Sequence, residues 1–269
     1  MSAFAYHFGF EFKTGLRNPN LLLLNYLFPF GFYVAMGAVM TQINPGFTEV
    51  MVPSLAVFAI LASTILGLPS PLVEDREAGV YRSFKINGVP ALSILMVPAL
   101  TTIIHALIAA TLIAVTAPLL FGGRAPDNWP ALFGVLVVTA FACGGIGALF
   151  GVISANSRAT VLWSQLIFLP SMLIGGLMIP LSMLPPGVQP LSALLPSTQA
   201  MQAIQGLAYG QETLIPPLAA LAALAGGALF SFALATYLFN WDTRNASRRG
   251  HPAMALLAWI PYALTMLVA

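Results

Sequence analysis

Apolar residues run through this chain in blocks at positions 21–40, 50–73, 91–119, 130–153, 160–181 and 217–240, separated by short polar or Pro/Gly-rich joints. About 20 apolar residues on a helix match a hydrocarbon layer of about 30 Å. The pattern therefore predicts an all-α polytopic membrane protein with six spans. The third block is longer than needed and is expected to tilt, or to kink near Pro98. Pro29, Pro98 and Pro170 lie inside blocks, which membrane helices tolerate. A final apolar run, 253–269, is seventeen residues long. At about 1.5 Å per residue it falls just short of the hydrocarbon thickness. It reads as a seventh span, with an interfacial helix as the alternative.

Two stretches have a different pattern. In residues 2–18, Phe4, Ala5, Phe8, Phe12 and Leu16 fall on one helical stripe, with Glu11, Lys13, Thr14, Arg17 and Asn18 opposite. That is the signature of a helix lying in the membrane plane, although Tyr6 and Phe10 sit off the stripe. A frayed tail is the alternative. Between the fifth and sixth blocks, 188–195 and 198–208 are semi-apolar, too short to span, and fenced by proline and glycine. They predict two interfacial or shallow re-entrant helices, against a plain structural loop.

Composition agrees with lipid as the main solvent. The chain is 59% hydrophobic and 7% charged, against about a quarter charged in soluble domains. A net charge of +2 with scattered bases gives no reason to expect nucleic acid. The single Cys143 excludes an intrachain disulfide. With the N-terminus inside, all of the ten Lys and Arg residues except Arg124 fall in cytoplasmic segments. That is the positive-inside asymmetry expected of six spans. No cleavable signal sequence opens the chain, and no internal repeat is evident.

Catalytic and ion-coupling motifs are missing. Neither Lys13 nor Lys85 follows the glycine pattern of a phosphate-binding loop. His7, His105 and His251 lack metal-ligand spacing, and no G-x-S-x-G occurs. His105 is the one ionisable imidazole inside a block, and an intramembrane group of that kind is a functional candidate by default. A histidine satisfied by a neighbouring carbonyl is the plainer reading. In "CGGIGALFG", Gly147 and Gly151 share a helix face with Gly144 close by, spacing that lets helices approach closely. The partner is another helix of this chain or a second copy. Phe168, Met172 and Met178 on the fifth block read as packing as readily as they read as a route lining.

Six charged residues, Glu74, Asp75, Arg76, Glu77, Arg82 and Lys85, crowd one joint of a chain that has ten bases and eight acids in all. Val73, Val80, Tyr81 and Phe84 recur at helical spacing through it, and Gly88 and Pro90 end it. Acids early and bases late suit the helix dipole. An amphipathic helix here is an inert connector or a knob for a soluble partner.

The segment "DREAGVYRSFKINGVP" resembles the loop after the second span of ABC-2 type transporter permeases. Asp75, Glu77 and Gly79 match its acid-x-Glu-x-Gly-Thr pattern, with Val80 in place of threonine. "GGLMIPLSMLPPGVQPLSALLPSTQAMQAIQGL" is similar to that family's fifth-span exit and outer helices, with Gln205 where arginine is common. The in-plane helix followed by "RNP" also fits, and together the match covers about residues 10–240. The resemblance implies a six-span ABC-2 type helix bundle over 1–252 that dimerises, as homo- or heterodimer, in the bacterial plasma (inner) membrane. It implies no catalytic, cofactor or metal site on this chain, with ATP and magnesium on a separate ABC ATPase subunit. Glu74, Asp75, Arg76, Glu77, Gly79, Tyr81, Arg82, Phe84 and Lys85 would form the ATPase-coupling helix, with Tyr81 and Phe84 as anchors and no buried partner needed in the free subunit. The implied function is export of an amphipathic substrate such as a drug, lipid or lipid-linked glycan. An ATPase-independent carrier or channel, or a non-transporting scaffold, is the alternative. The family usually ends after its sixth span, so 253–269 is a departure.

Overall fold

The computed structural model describes residues 8, 9, 11–13, 17–241 and 250–267. In chain order the helices are α1 (Pro19–Ile43), α2 (Pro45–Glu77), α3 (Val80–Ile86), α4 (Ala91–Phe121) and α5 (Trp129–Ile153). Then follow α6 (Ser157–Ile174), α7 (Gln189–Ser192), α8 (Pro196–Tyr209), α9 (Pro217–Leu238) and α10 (Pro252–Thr265). Five of them, α1, α2, α4, α5 and α9, are long and apolar enough to cross a membrane.

The fifth predicted block is shorter as a helix than as an apolar run. α6 stops at Ile174 because Gly175 and Gly176, the latter at φ +80°, turn the chain. Leu177, in irregular chain, and Leu181, at the start of a 3₁₀ turn (Leu181–Met183), continue the run as buried residues. α4 is continuous through Pro98 and Pro118.

α2 is the centre of the bundle, with every residue from Met51 to Ile65 buried. α5 lies against α2, α4, α8 and α9, and its small residues set these approaches. A Cβ on Gly147 would strike the Thr64 carbonyl of α2, one on Gly151 would meet Leu72, and one on Gly144 would meet Ile103 of α4. The glycine stripe thus packs within the chain, as close-approach glycines do in lipid, where van der Waals contact replaces hydrophobic drive.

α1 and α2 each widen into a π-helical turn, at Leu23–Leu27 and Ala62–Gly67. Each turn ends two residues before a proline, Pro29 or Pro69. A proline cannot donate to the carbonyl four residues earlier and its ring crowds that carbonyl; a π turn relieves both problems by shifting the register. The two turns pack on each other. Asn25 is buried there, its Oδ1 3.6 Å from where a Cβ on Gly67 would lie.

One end of the bundle is tied by Arg124. Its guanidinium pairs with Glu49 at 3.3 Å and Asp127 at 3.2 Å, and its main-chain N–H donates to the Thr48 carbonyl. Tyr209, the last residue of α8, donates its hydroxyl to the Arg124 carbonyl. α8 descends from this end into the interior, where Ser197, Thr198 and Gln199 are fully buried. α10 starts beside Tyr237 and Leu238, follows α9 past Gly227, where Tyr262 fills the notch, and ends where Gln199 Nε2 donates to Thr265 Oγ1 at 2.8 Å. Its first eight residues, Pro252–Trp259, form a 3₁₀ helix, whose greater rise per residue extends its reach.

Candidate functional site

At the end opposite Arg124, α2 overruns the apolar block and carries the charged segment with it to Glu77. Gly79, at φ +78°, then turns the chain into α3, and Gly88, at φ +72°, closes α3 before Pro90 starts α4. Both turns use the left-handed region that glycine enters without a Cβ penalty. The single amphipathic helix expected from Val73 to Lys85 is therefore two helices meeting at an elbow. Glu74, Asp75 and Glu77 sit at the C-terminal end of α2, not at a helix start, so the expected dipole benefit is reversed.

Arg76 instead serves a different helix end. Its side chain is only 7% exposed, and its guanidinium donates to the carbonyls of Gly151 (3.3 Å), Val152 (2.9 Å) and Ser154. These are the free carbonyls at the C-terminus of α5, where a cation is favourable on both hydrogen-bonding and dipole grounds. Charge-assisted bonds of this kind are worth about 1.5–3 kcal/mol each. The charged segment thus does contain a buried partner in the free subunit, contrary to the sequence expectation.

Tyr81 is also interior. It is 3% exposed and packs on Phe239, just beyond α9, with ring centroids 5.6 Å apart. Burial pushes its phenol well above the ordinary tyrosine range, and the Asp75 carboxylate pushes the same way. Phe84 is half-buried. Glu74, Glu77, Arg82 and Lys85 are exposed, and Asp75 is half-buried. The Ser157 hydroxyl, at the first turn of α6, donates to Glu77 at 3.4 Å. Lys85 Nζ lies 6.0 Å from the Trp241 ring. Ile86, at the end of α3, is 82% exposed; it lies off the apolar stripe and sequence reasoning passed over it.

The N-terminal segment closes against this end. Phe8 and Phe12 stack at 6.4 Å, and Phe12 stacks on His105 at 4.4 Å with planes 10° apart. Phe4 and Leu16 lie outside the described residues. His105 Nδ1 is 2.6 Å from the Tyr26 hydroxyl, a side-chain partner on α1. A cavity of about 50 Å³ beside it is lined by Glu11, Asn25, Asp75, Thr101, Thr102 and His105, among others. Phe168 is packed between Phe28 and Phe58, at 6.5 and 5.9 Å, and Met172 lies against the core.

Among the described residues, no cluster of three or more His, Cys, Asp or Glu side chains is placed to hold a metal ion. What this site offers is mechanical. A short exposed helix is joined by a glycine turn to the central helix, and that helix is clamped by Arg76 to the end of α5.

Comparison with curated proteins and with solved structures finds no match. The family model described as ABC-2 family transporter protein matches residues 40–237, which take in the last turn of α1, the elbow, α8 and nearly all of α9. The chain belongs to the ABC-2 family of transporter proteins.

Proposed function

We propose that this permease is the membrane subunit of an ATP-driven exporter and that the α2–α3 elbow is where its ATPase docks. The observation carrying this reading is the division of labour within the charged segment. Arg76 and Tyr81 turn inward and fix the elbow to α5 and to the end of α9, while Glu74, Glu77, Arg82, Lys85 and Ile86 face out. An exposed aliphatic side chain ringed by charges of both signs suits a groove on a soluble partner, with the charges setting register and encounter rate.

In this account ATP and magnesium bind on the partner ATPase. Its closure pushes α3, and the push passes through Gly79 to α2 and through Arg76 to α5. α2 and α5 then move together, since Gly147 and Gly151 leave no slack between them. The elbow faces the cytosol in this reading, which the Lys and Arg distribution supports, and so does the N-terminus. The protein works as a dimer of permease subunits in a bacterial inner membrane. Its cargo is amphipathic, a drug, lipid or lipid-linked glycan, because the crossing helices present apolar and small side chains and hardly any fixed charge.

The test is mild-detergent purification of the tagged chain from its native cell. A stoichiometric ATP-binding-cassette subunit is expected with wild type, and its loss with Glu74→Lys/Glu77→Lys. Recovery of wild type with no ATPase would overturn the proposal.

A further inference from the structure

Between α4 and α9, on the face of α5, lies an apolar groove of about 1010 Å³. Its walls include Leu92 and Met96 of α4, its floor Val137 and Phe141, and its far wall runs on α9 from Ala225 to Tyr237. Twelve helical steps span about 18 Å, close to half of a hydrocarbon core of about 30 Å. The groove therefore has the length of one leaflet. It occupies the half of α9 next to the elbow, away from Arg124.

Its mouth has a distinct chemistry. Tyr237 stands there half in the open, as a residue of the aromatic belt does. Four residues on, Trp241 carries Lys85 at 6.0 Å over its ring. α3, which bears Lys85, ends at Ile86, and α4 brings Leu92 into the groove directly after its start at Ala91. The exposed Lys85 ammonium is thus at the end of the bundle where both walls stop. Among the described lining residues there is no carboxylate.

We infer that this groove is a binding site for one anionic phospholipid of the elbow-side leaflet, its acyl chains between α4 and α9 and its phosphate at Lys85. Naming that leaflet as the inner one rests on the topology proposed above. An ammonium at the surface strengthens attraction to anionic lipid by about fivefold, and the apolar length supplies the rest of the affinity. Because Lys85 belongs to α3, an occupied groove ties the position of the elbow to the lipid around it.

The experiment is native mass spectrometry of the purified chain, exchanged into micelles holding equal phosphatidylglycerol and phosphatidylcholine. One phosphatidylglycerol per chain is expected to survive delipidation. Lys85→Gln should lower the preference for phosphatidylglycerol about fivefold, and Lys85→Arg should keep it. Ala233→Phe, which fills the groove, should abolish retention with the helical circular dichroism unchanged. If that variant does not fold, the Lys85 pair still decides. Equal retention of both lipids, or a preference that Lys85→Gln leaves unaltered, overturns the proposal. So does a Leu229→Cys disulfide dimer in native membranes, which would put a second copy on this face. None of these readouts uses ATP or a partner, so their failure is separate from failure of the permease reading.

Discussion

Arg76 Nη1 donates to the Val152 carbonyl at 2.9 Å, joining the last turn of α2 to the end of α5 across 76 residues of sequence. The elbow is held at the bundle by this contact more than by the charges around it. Arg76→Ala leaves the Gly151, Val152 and Ser154 carbonyls without their donor and should destabilise the protein by about 2–3 kcal/mol. Thermal unfolding in detergent measures this. A loss no greater than that of Arg82→Ala would show that the clamp contributes little.

The α2–α5 contact depends on a missing side chain. Gly147→Ala drives a methyl into the Thr64 carbonyl and should cost about 1–3 kcal/mol by overpacking. Gly134, on the same helix, has nothing within 4 Å of where a Cβ would lie. Gly134→Ala should be neutral or slightly stabilising through helix propensity. Equal melting temperatures for the two variants would contradict the packing assigned to α5.

Tyr81 and Tyr209 give the fold an alkaline limit. Burial raises both phenols above their ordinary value. In the unfolded chain each ionises near pH 10, while in the folded chain each keeps its proton to higher pH. Their contribution is thus fully present below about pH 10 and is lost as pH rises beyond it, by about 1.4 kcal/mol per pH unit for each. Tyr81→Phe should flatten that loss by one proton's worth. The Tyr81 hydroxyl has no hydrogen-bond partner among the described residues, so this variant should also keep its stability at pH 7. A chemical-denaturation series from pH 7 to 11 reads both.

Phe12 meets the bundle through its ring stack on His105. Phe12→Ala should raise hydrogen exchange at residues 8, 9 and 11–13 several-fold and leave α4 protected. Unchanged exchange there would mean that something other than the stack holds the segment.

The crossing helices were legible because lipid imposes one strong rule, about 20 apolar residues per span, and five such helices stand where apolar blocks were read. Legibility stopped where neighbours decide. The apolar run through Leu181 promised a longer α6, but Gly175 and Gly176 turn the chain and the remaining leucines find burial outside any α-helix. Hydropathy cannot distinguish those two ways of hiding a leucine. The charged segment is legible as a unit, yet its pattern groups Arg76 with outward-facing charges. Its acceptors are main-chain carbonyls 75 or more residues away, which no local pattern encodes. Gly79 carried the sharper signal: a glycine amid helix-forming residues marks a turn as readily as it fills a family motif.

The most direct test of coupling through the elbow is ATP-driven transport of an amphipathic dye in proteoliposomes holding the chain and its co-purified ATPase. The account predicts uptake that requires ATP and is lost in Glu77→Ala/Ile86→Ala, with the variant still folded and inserted. Dye movement that proceeds without ATP, or that this double variant leaves unchanged, would contradict it.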